Sequence, residues 1–399
     1  MTDLATTAAL ARPQRRILPG QPLVFALAAL LIGLGALAAA QTAGWRMAAL
    51  WLVGAGLGLS LFHAAFGFTA GFRALFETGR SAQVRAQMLM LAVAITLFFP
   101  AIAAGTVLGQ PVRGFVFPLG LEVAIGAFLF GIGMQLGGGC GSGTLYTAAG
   151  GGTRMLVTLA FFIVGATAAA ASYEIWSGLP AIPGISVIDS LGLAPALVVS
   201  LAPLGLVAVL AARRERVRHG SVEPIFVRSG QAFLTGPWPY AWAALALALL
   251  NFATLLLAGR PWGITQAFAL WGSWGVERLG LDDPAFWAFW EEPTRAALLH
   301  RRLFADTTSV MNLGLVVGAL AAAGLAGRFA PVWRIGIGPL AASVIGGLLL
   351  GFGAIMATSC NVSAFFSGIA SGSLHGWLWI AAALPGNWLG ARLRPLFRL

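Results

Sequence analysis

Long apolar runs separated by short polar or glycine- and proline-rich connections dominate this chain. A membrane-crossing helix needs about 20 mostly apolar residues. Runs of that kind lie near 22–40, 47–66, 88–108, 119–137, 155–173, 191–211, 240–258, 263–279, 309–327, 335–356 and 374–391. Several are short or interrupted by glycine, so nine to twelve full crossings are expected. The ten-residue alternation of a membrane β-barrel is absent from these runs. The expected fold is therefore all-α: a polytopic membrane bundle of helices.

Composition agrees. Of 399 residues, 59% are hydrophobic and 9% charged, with a mean hydropathy of +0.87, against about 25% charged in soluble domains. Such a chain cannot cover its surface with polar groups, so lipid bilayer must cover it. The net charge is +11, and all 24 cations are arginine. Without lysine there is no P-loop lysine, no Schiff base and no lysine general base. Nothing in the chain marks an enzyme, and no cofactor is implied.

The arginines act as topological anchors rather than a nucleic-acid surface. Arg12, Arg15 and Arg16 precede the first run, which reads as a transmembrane helix with a cytoplasmic N-terminus under the positive-inside rule. A cleaved signal peptide is the weaker alternative, because further spans follow at once. Four later clusters can all be cytoplasmic if even numbers of crossings separate them: Arg73, Arg80 and Arg85; Arg213, Arg214, Arg216 and Arg218; Arg295, Arg301 and Arg302; and Arg392, Arg394 and Arg398. Phe286–Trp290 reads as a headgroup-layer segment.

The chain also repeats itself. Ile125–Gly133 (IGAFLFGIG) aligns with Ile345–Gly353 (IGGLLLGFG) at an offset of 220, and without a gap Cys140 falls on Cys360, the two cysteines of the protein. A second echo, Gly67-Phe68-Thr69-Ala70-Gly71-Phe72 with Gly263-Ile264-Thr265-Gln266-Ala267-Phe268, has an offset of 196. The expected organisation is a cytoplasmic tail (1–21), a first transmembrane repeat (22–211), a basic cytoplasmic linker (212–238), a second repeat (239–391) and a basic tail (392–399). Counting crossings makes the two halves parallel, and one misjudged broken helix would invert them. Repeated bundles with broken helices are a transporter architecture, with substrate held at the repeat interface.

The candidate chemistry sits at two breaks. Gly137–Gly143 holds five glycines in seven residues, each costing a helix up to about 1 kcal/mol. Irregular backbone at membrane depth survives only inside protein or along a wet cavity. The first break offers Gly139, Cys140, Gly141, Ser142 and Gly143; the second offers Ser359, Cys360, Asn361 and Ser363. Helices begin after both, and helix N-termini attract anions without needing a cation. Gly133-x-x-x-Gly137 and Gly347-x-x-x-Gly351 read instead as close helix packing. Two cysteines at equivalent polar breaks point to function, as soft, weak S–H donors. Zinc would want three or four ligands, and only His375 lies near a cysteine, so no metal is expected. A disulfide cannot be placed from sequence.

These residues resemble the YeeE/YedE family of sulfur-compound permeases. The resemblance rests on Gly139–Leu145 (GCGSGTL), Ser359-Cys360-Asn361, Phe366–Trp377 (FSGIASGSLHGW) and Pro261–Phe268 (PWGITQAF), within most of residues 60–390. It implies an hourglass-shaped helical bundle in the bacterial inner membrane, and thiosulfate or a closely related sulfur anion as cargo. Cys140 and Cys360 would then be relay thiols, with Thr69, Thr265 and His375 beside the path. It also implies a small cytoplasmic sulfur-carrier protein as partner. The family's thiosulfate members carry a third cysteine where this chain has Gly67, an altered entrance position. Two alternatives stay open: a membrane sulfur relay passing sulfur covalently through Cys to a carrier, and a transporter of another small anion such as sulfite or a selenium species.

Overall fold

A computed structural model, describing residues 20–399, is predominantly helical. In chain order the helices are α1 (Pro22–Ala43), α2 (Trp45–Ala64), α3 (Phe68–Arg73), α4 (Ala82–Ala104), α5 (Leu121–Gly137), α6 (Gly141–Ala149), α7 (Thr153–Ala171), α8 (Tyr173–Trp176) and α9 (Val187–Leu191). They continue as α10 (Leu193–His219), α11 (Tyr240–Ala258), α12 (Thr265–Arg278), α13 (Pro293–Leu299), α14 (Thr307–Ala326), α15 (Ile337–Met356), α16 (Ser367–Ala370) and α17 (Leu374–Leu393). Two pairs of two-residue strands are the only sheet among the described residues. Nine helical segments there are long and apolar enough to cross a membrane. The chain is a multi-pass membrane protein. Arg12, Arg15, Arg16 and nearly all of the expected 1–21 tail lie outside the described residues.

Glycine lets the central helices meet backbone to backbone. In lipid, association rests on close packing rather than on the hydrophobic effect, so small residues mark the contacts. Gly126 of α5 lies on Gly353 and Ala357, and Gly133 and Gly137 lie on Gly346 and Leu350 of α15. Ascending numbers on one helix meet descending numbers on the other, so α5 and α15 run antiparallel. That overturns the parallel crossing count. The miscounted element is the run at 263–279: α12 is only 14 residues long, about 21 Å, too short to cross. The packing role expected for Gly133-x-x-x-Gly137 and Gly347-x-x-x-Gly351 holds, with Gly347 and Gly351 seated on Thr158, Phe161 and Phe162 of α7.

The remaining contacts come in exchanged pairs. α15 packs on α7 and α5 on α17; α14 packs on α2 and α4 on α11; α1 lies against α14 and α10 against α4. α1 and α10 present rows of exposed apolar residues, Leu23, Leu27 and Leu30 on one and Val198, Val199 and Leu206 on the other, and these face lipid. α10 continues through Arg213–Arg218 to His219, so the first residues of the expected linker are helix.

Charge separates to the two ends of the bundle. Following the chain through its crossings, one end collects Arg73, Arg80, Arg85, Arg154, Arg213, Arg214, Arg216, Arg218, Arg228, Arg328, Arg334, Arg392, Arg394 and Arg398 against Glu77, Glu215 and Glu223. The other end collects Arg46, Arg113, Arg260, Arg278, Arg295, Arg301 and Arg302 against nine carboxylates. Arg295, Arg301 and Arg302 therefore do not share a side with the other three clusters. Arg295 instead stacks on Phe289 and Tyr173, 4.5 and 5.3 Å from their ring centroids. The Phe286–Trp290 segment departs from expectation too. Phe286 is exposed, but Trp287, Phe289 and Trp290 are buried, and the Trp290 indole donates to Ser273 Oγ at 3.1 Å.

Candidate functional site

Both breaks have one geometry. α5 ends at Gly137, and Gly138 turns left-handed with φ 91°. Cys140 then caps α6 with φ −83° and ψ −170°, and its carbonyl accepts from the Thr144 amide at 2.8 Å and the Thr144 hydroxyl at 2.9 Å. In the second break α15 ends at Met356, and Thr358 is left-handed with φ 61°. Cys360 caps a π-helical turn, Asn361–Phe366, with φ −95° and ψ −173°, and its carbonyl accepts from the Ala364 amide at 2.8 Å. Gly138 and Thr358 differ by the same 220 residues as the cysteines.

Glycine takes the left-handed conformation without penalty, whereas a β-branched residue there is strained. Thr358 is held by its surroundings: its hydroxyl bonds the Ala357 carbonyl at 2.6 Å and His375 Nε2 at 2.6 Å. His375 also reaches the Ala357 carbonyl at 3.2 Å, and the Phe117 ring packs edge-on at 5.3 Å. The histidine thus braces the second break from behind.

The two breaks fold back to meet. Cys140 and Cys360 are free thiols, both buried. A methyl group on Gly141 would stand 3.4 Å from Cys360 Sγ and 3.3 Å from Ile264 Cγ2, and one on Gly143 would stand 3.5 Å from Cys140 Sγ. Cys140 Sγ is 3.5 Å from Ser142 Oγ, and Cys360 Sγ is 3.9 Å from Ser363 Oγ. Ser363 Oγ accepts from the Ile264 amide at 3.2 Å, and Thr265 Oγ1 and Ser359 Oγ share a 3.1 Å bond. Gly139 backs onto the Thr144 amide, where a methyl would sit at 3.0 Å. Asn361 is fully buried, and neither its Oδ1 nor its Nδ2 has a hydrogen-bond partner.

Gly67 and Thr69 lie at the start of α3, toward the arginine-rich end. A methyl on Gly67 would stand 3.6 Å from the Tyr146 hydroxyl. Thr69 is buried with its hydroxyl unpartnered, and its carbonyl accepts from Gln135 Nε2 at 3.2 Å. Beside the breaks lies a cavity of about 20 Å³, lined by Leu61, Phe68, Met90, Ser142, Leu247, Asn251, Trp262, Val362 and Phe366, with neither cysteine in its wall. That is room for about one water molecule. Trp262 Nε1 and Asn251 Oδ1 are buried there without partners. At the basic end a vestibule of about 740 Å³ opens, with Arg154, Arg328, Arg334 and Tyr146 in its wall. Sequence pattern did not single out Asn251 or Tyr146, because nothing local distinguishes them from packing residues, and it met Trp262 only as part of Pro261–Phe268.

The family model for sulphur transport matches residues 63–389. The chain belongs to the Sulphur transport family. Members of this family are transporters rather than enzymes. Thiosulfate transporter TsuA of Spirochaeta thermophila is 30% identical over 293 residues, covering 69% of this chain and 77% of that protein. Thiosulfate transporter TsuA of Escherichia coli is 23% identical over 365 residues, or 86% of this chain and 93% of that protein. Probable transporter YedE of Salmonella typhimurium is 34% identical over 176 residues, 42% of this chain and 41% of that protein. The match to YedE thus spans well under half the length of either protein.

Proposed function

We propose that this chain imports thiosulfate, or a closely related sulfur-containing anion, through a path whose centre is the pair Cys140 and Cys360. The observation that supports it best is the matched pair of buried N-capping thiols, with Gly141 of the first break against the Cys360 thiol of the second. Each thiol stands at the positive end of a helical turn with a serine hydroxyl beside it, Ser142 for Cys140 and Ser363 for Cys360, and the unpaired Asn361 amide follows Cys360. A soft S–H donor suits the terminal sulfur, and hydroxyl and amide donors suit the oxygens. The 20 Å³ cavity is smaller than any such anion, so passage requires the breaks to part. Thr69 and Thr265 flank the path in this reading, and His375 fixes the second break.

The charge split supports an orientation for the import reading. The positive-inside rule assigns the arginine-rich end, and with it the start of α1, to the cytoplasm of a bacterial inner membrane. Cargo would enter at the acidic end and leave through the vestibule. Gly67 then stands on the exit side of the thiols rather than at an entrance. Moving a dianion inward at 100 mV costs about 4.6 kcal/mol, so net import needs rapid consumption inside. A small cytoplasmic sulfur-carrier protein waiting at the basic end would supply it.

The antiparallel crossing of α5 with α15 and the exchanged contacts support two inverted repeats. α10 pairs with α4 as α1 pairs with α14, so the second repeat begins near Leu193, earlier than the linker placed at 212–238.

Uptake of radiolabelled thiosulfate into cells lacking other sulfur importers tests the proposal. A hydrogen bond to a charged group contributes about 1.5–3 kcal/mol, so Cys140→Ala and Cys360→Ala are each expected to lower uptake by roughly 10–100-fold. Gly67→Cys should raise it. Uptake indifferent to both alanines would sink the relay. Cys→Ser variants address the covalent alternative, since serine donates a hydrogen bond but cannot carry sulfane sulfur. Substantial uptake by both serine variants argues for non-covalent passage.

A further inference from the structure

The vestibule at the basic end has features that passage alone does not require. Its wall holds three guanidinium groups, Arg154, Arg328 and Arg334, against one anionic group, the α-carboxylate of Leu399, and no aspartate or glutamate among the described residues. α7 and α15, 19 and 20 residues long, pack side by side and both begin here, with Gly152 and Gly336 as N-caps that offer no side-chain cap. Two uncapped helix starts expose unpaired amide N–H groups and add partial positive charge. The ends of α2 and α6 also reach this mouth, but their last carbonyls are occupied: Phe62 by the Ala65 amide, Tyr146 by Gly150 and Thr147 by Gly152. Three arginines against one carboxylate leave an excess of positive charge in the wall of a concavity of about 740 Å³.

We infer that this vestibule is a binding site for a multiply charged oxyanion of the sulfate or phosphate type, separate from the cysteine centre. α6 separates the two: Cys140 stands at its start and Tyr146, Thr147 and Gly150 at its vestibule end, about 13 Å apart along nine residues. The recognising chemistry is shared by a free inorganic anion and a phospholipid headgroup.

The test is binding of radiolabelled sulfate to the purified full chain in uncharged detergent. Sulfate binding should persist when Cys140→Ala and Cys360→Ala are combined. It should fall at least tenfold in Arg328→Gln with Arg334→Gln, and weaken as salt rises. Ile337→Glu supplies a second variant: this residue is 87% exposed, so folding tolerates the change while a carboxylate enters the first turn of α15. Nanodiscs of phosphatidylglycerol and of phosphatidylcholine separate the two sources. Stabilisation by phosphatidylglycerol alone, lost in the arginine variants, with no sulfate binding, assigns the site to a lipid headgroup. Sulfate binding lost with the cysteines, or either binding indifferent to Arg328, Arg334 and Ile337, overturns the inference. Because the cysteine variant is expected to bind sulfate while failing to take up thiosulfate, the two proposals fail separately.

Discussion

Gly126→Ala tests whether the crossing of α5 and α15 holds the two thiols in register. The added methyl would stand 2.6 Å from the Ala357 amide nitrogen and 2.8 Å from the Gly353 carbonyl oxygen. Both neighbours are backbone, joined to each other by a 2.9 Å hydrogen bond, so no flexible side chain can yield. Ordinary contact near 3.5 Å would require the helices to separate by about 0.7–0.9 Å. Overpacking of this kind costs about 1–3 kcal/mol, set against a gain of up to about 1 kcal/mol for replacing a helical glycine. Gly205→Ala isolates that gain, since Gly205 is exposed on α10 with nothing within 4 Å of the new methyl. Thermal unfolding in detergent should rank Gly205→Ala at or above wild type and Gly126→Ala below Gly205→Ala by the overpacking cost. Ala357 opens the turn that carries Cys360, so thiosulfate uptake should fall further in Gly126→Ala than its stability loss explains. A Gly126→Ala protein as stable as Gly205→Ala, with uptake intact, would refute the tight crossing.

Other outcomes follow from particular contacts. Glu215 is buried and binds Arg80, Arg85 and Ser81 at 3.2, 3.5 and 2.5 Å; Arg80 is partly exposed and returns to water in Glu215→Ala, but the buried Ser81 donors are left unpaired, so the variant should destabilise by about 1–3 kcal/mol, seen as a drop in unfolding temperature. Thr358→Gly removes about 1–2 kcal/mol of left-handed strain but deletes the His375 bond. Its thermal stability should therefore change little, while uptake falls if the brace positions Cys360. Glu292 lies outside the spans and caps α13; the Thr294 hydroxyl, then the Thr294 and Arg295 amides and the Arg295 charge, hold its carboxyl below the usual range. That contribution is complete above the unfolded value, about 4.3, and is lost as pH falls through the lower folded one. Hydrogen exchange in 293–299 should speed up on acidification in the wild type and be fast and pH-independent, after correction for intrinsic rates, in Glu292→Gln.

Much of the fold was legible in sequence because the bilayer leaves few choices. With no water to satisfy backbone groups, apolar runs of about 20 residues must be helices, and the breaks announced themselves where glycines and small polar residues interrupted such runs. The same argument picked out Cys140 and Cys360, since an offset of 220 residues superimposes both the thiols and the helices before them. Hydropathy could not distinguish a half-length helix from a full crossing: 263–279 has the composition of a span, and only its packing shows that α12 stops short. That single element sets the parity of the chain, hence the antiparallel crossing and the side on which Arg295, Arg301 and Arg302 emerge. Trp287 and Trp290 likewise carry the composition of a headgroup anchor, and Tyr146 and Asn251 that of packing residues; which atoms face which cavity depends on partners from other elements of the chain. Sequence alone determined the helices, the lipid-facing surface and the chemistry of the breaks, because those follow from transfer to lipid and local backbone preference. Only the tertiary structure decided that the breaks turn back to bring the thiols together and that charge divides between the two ends, because both depend on how many times the chain crosses and which backbones touch.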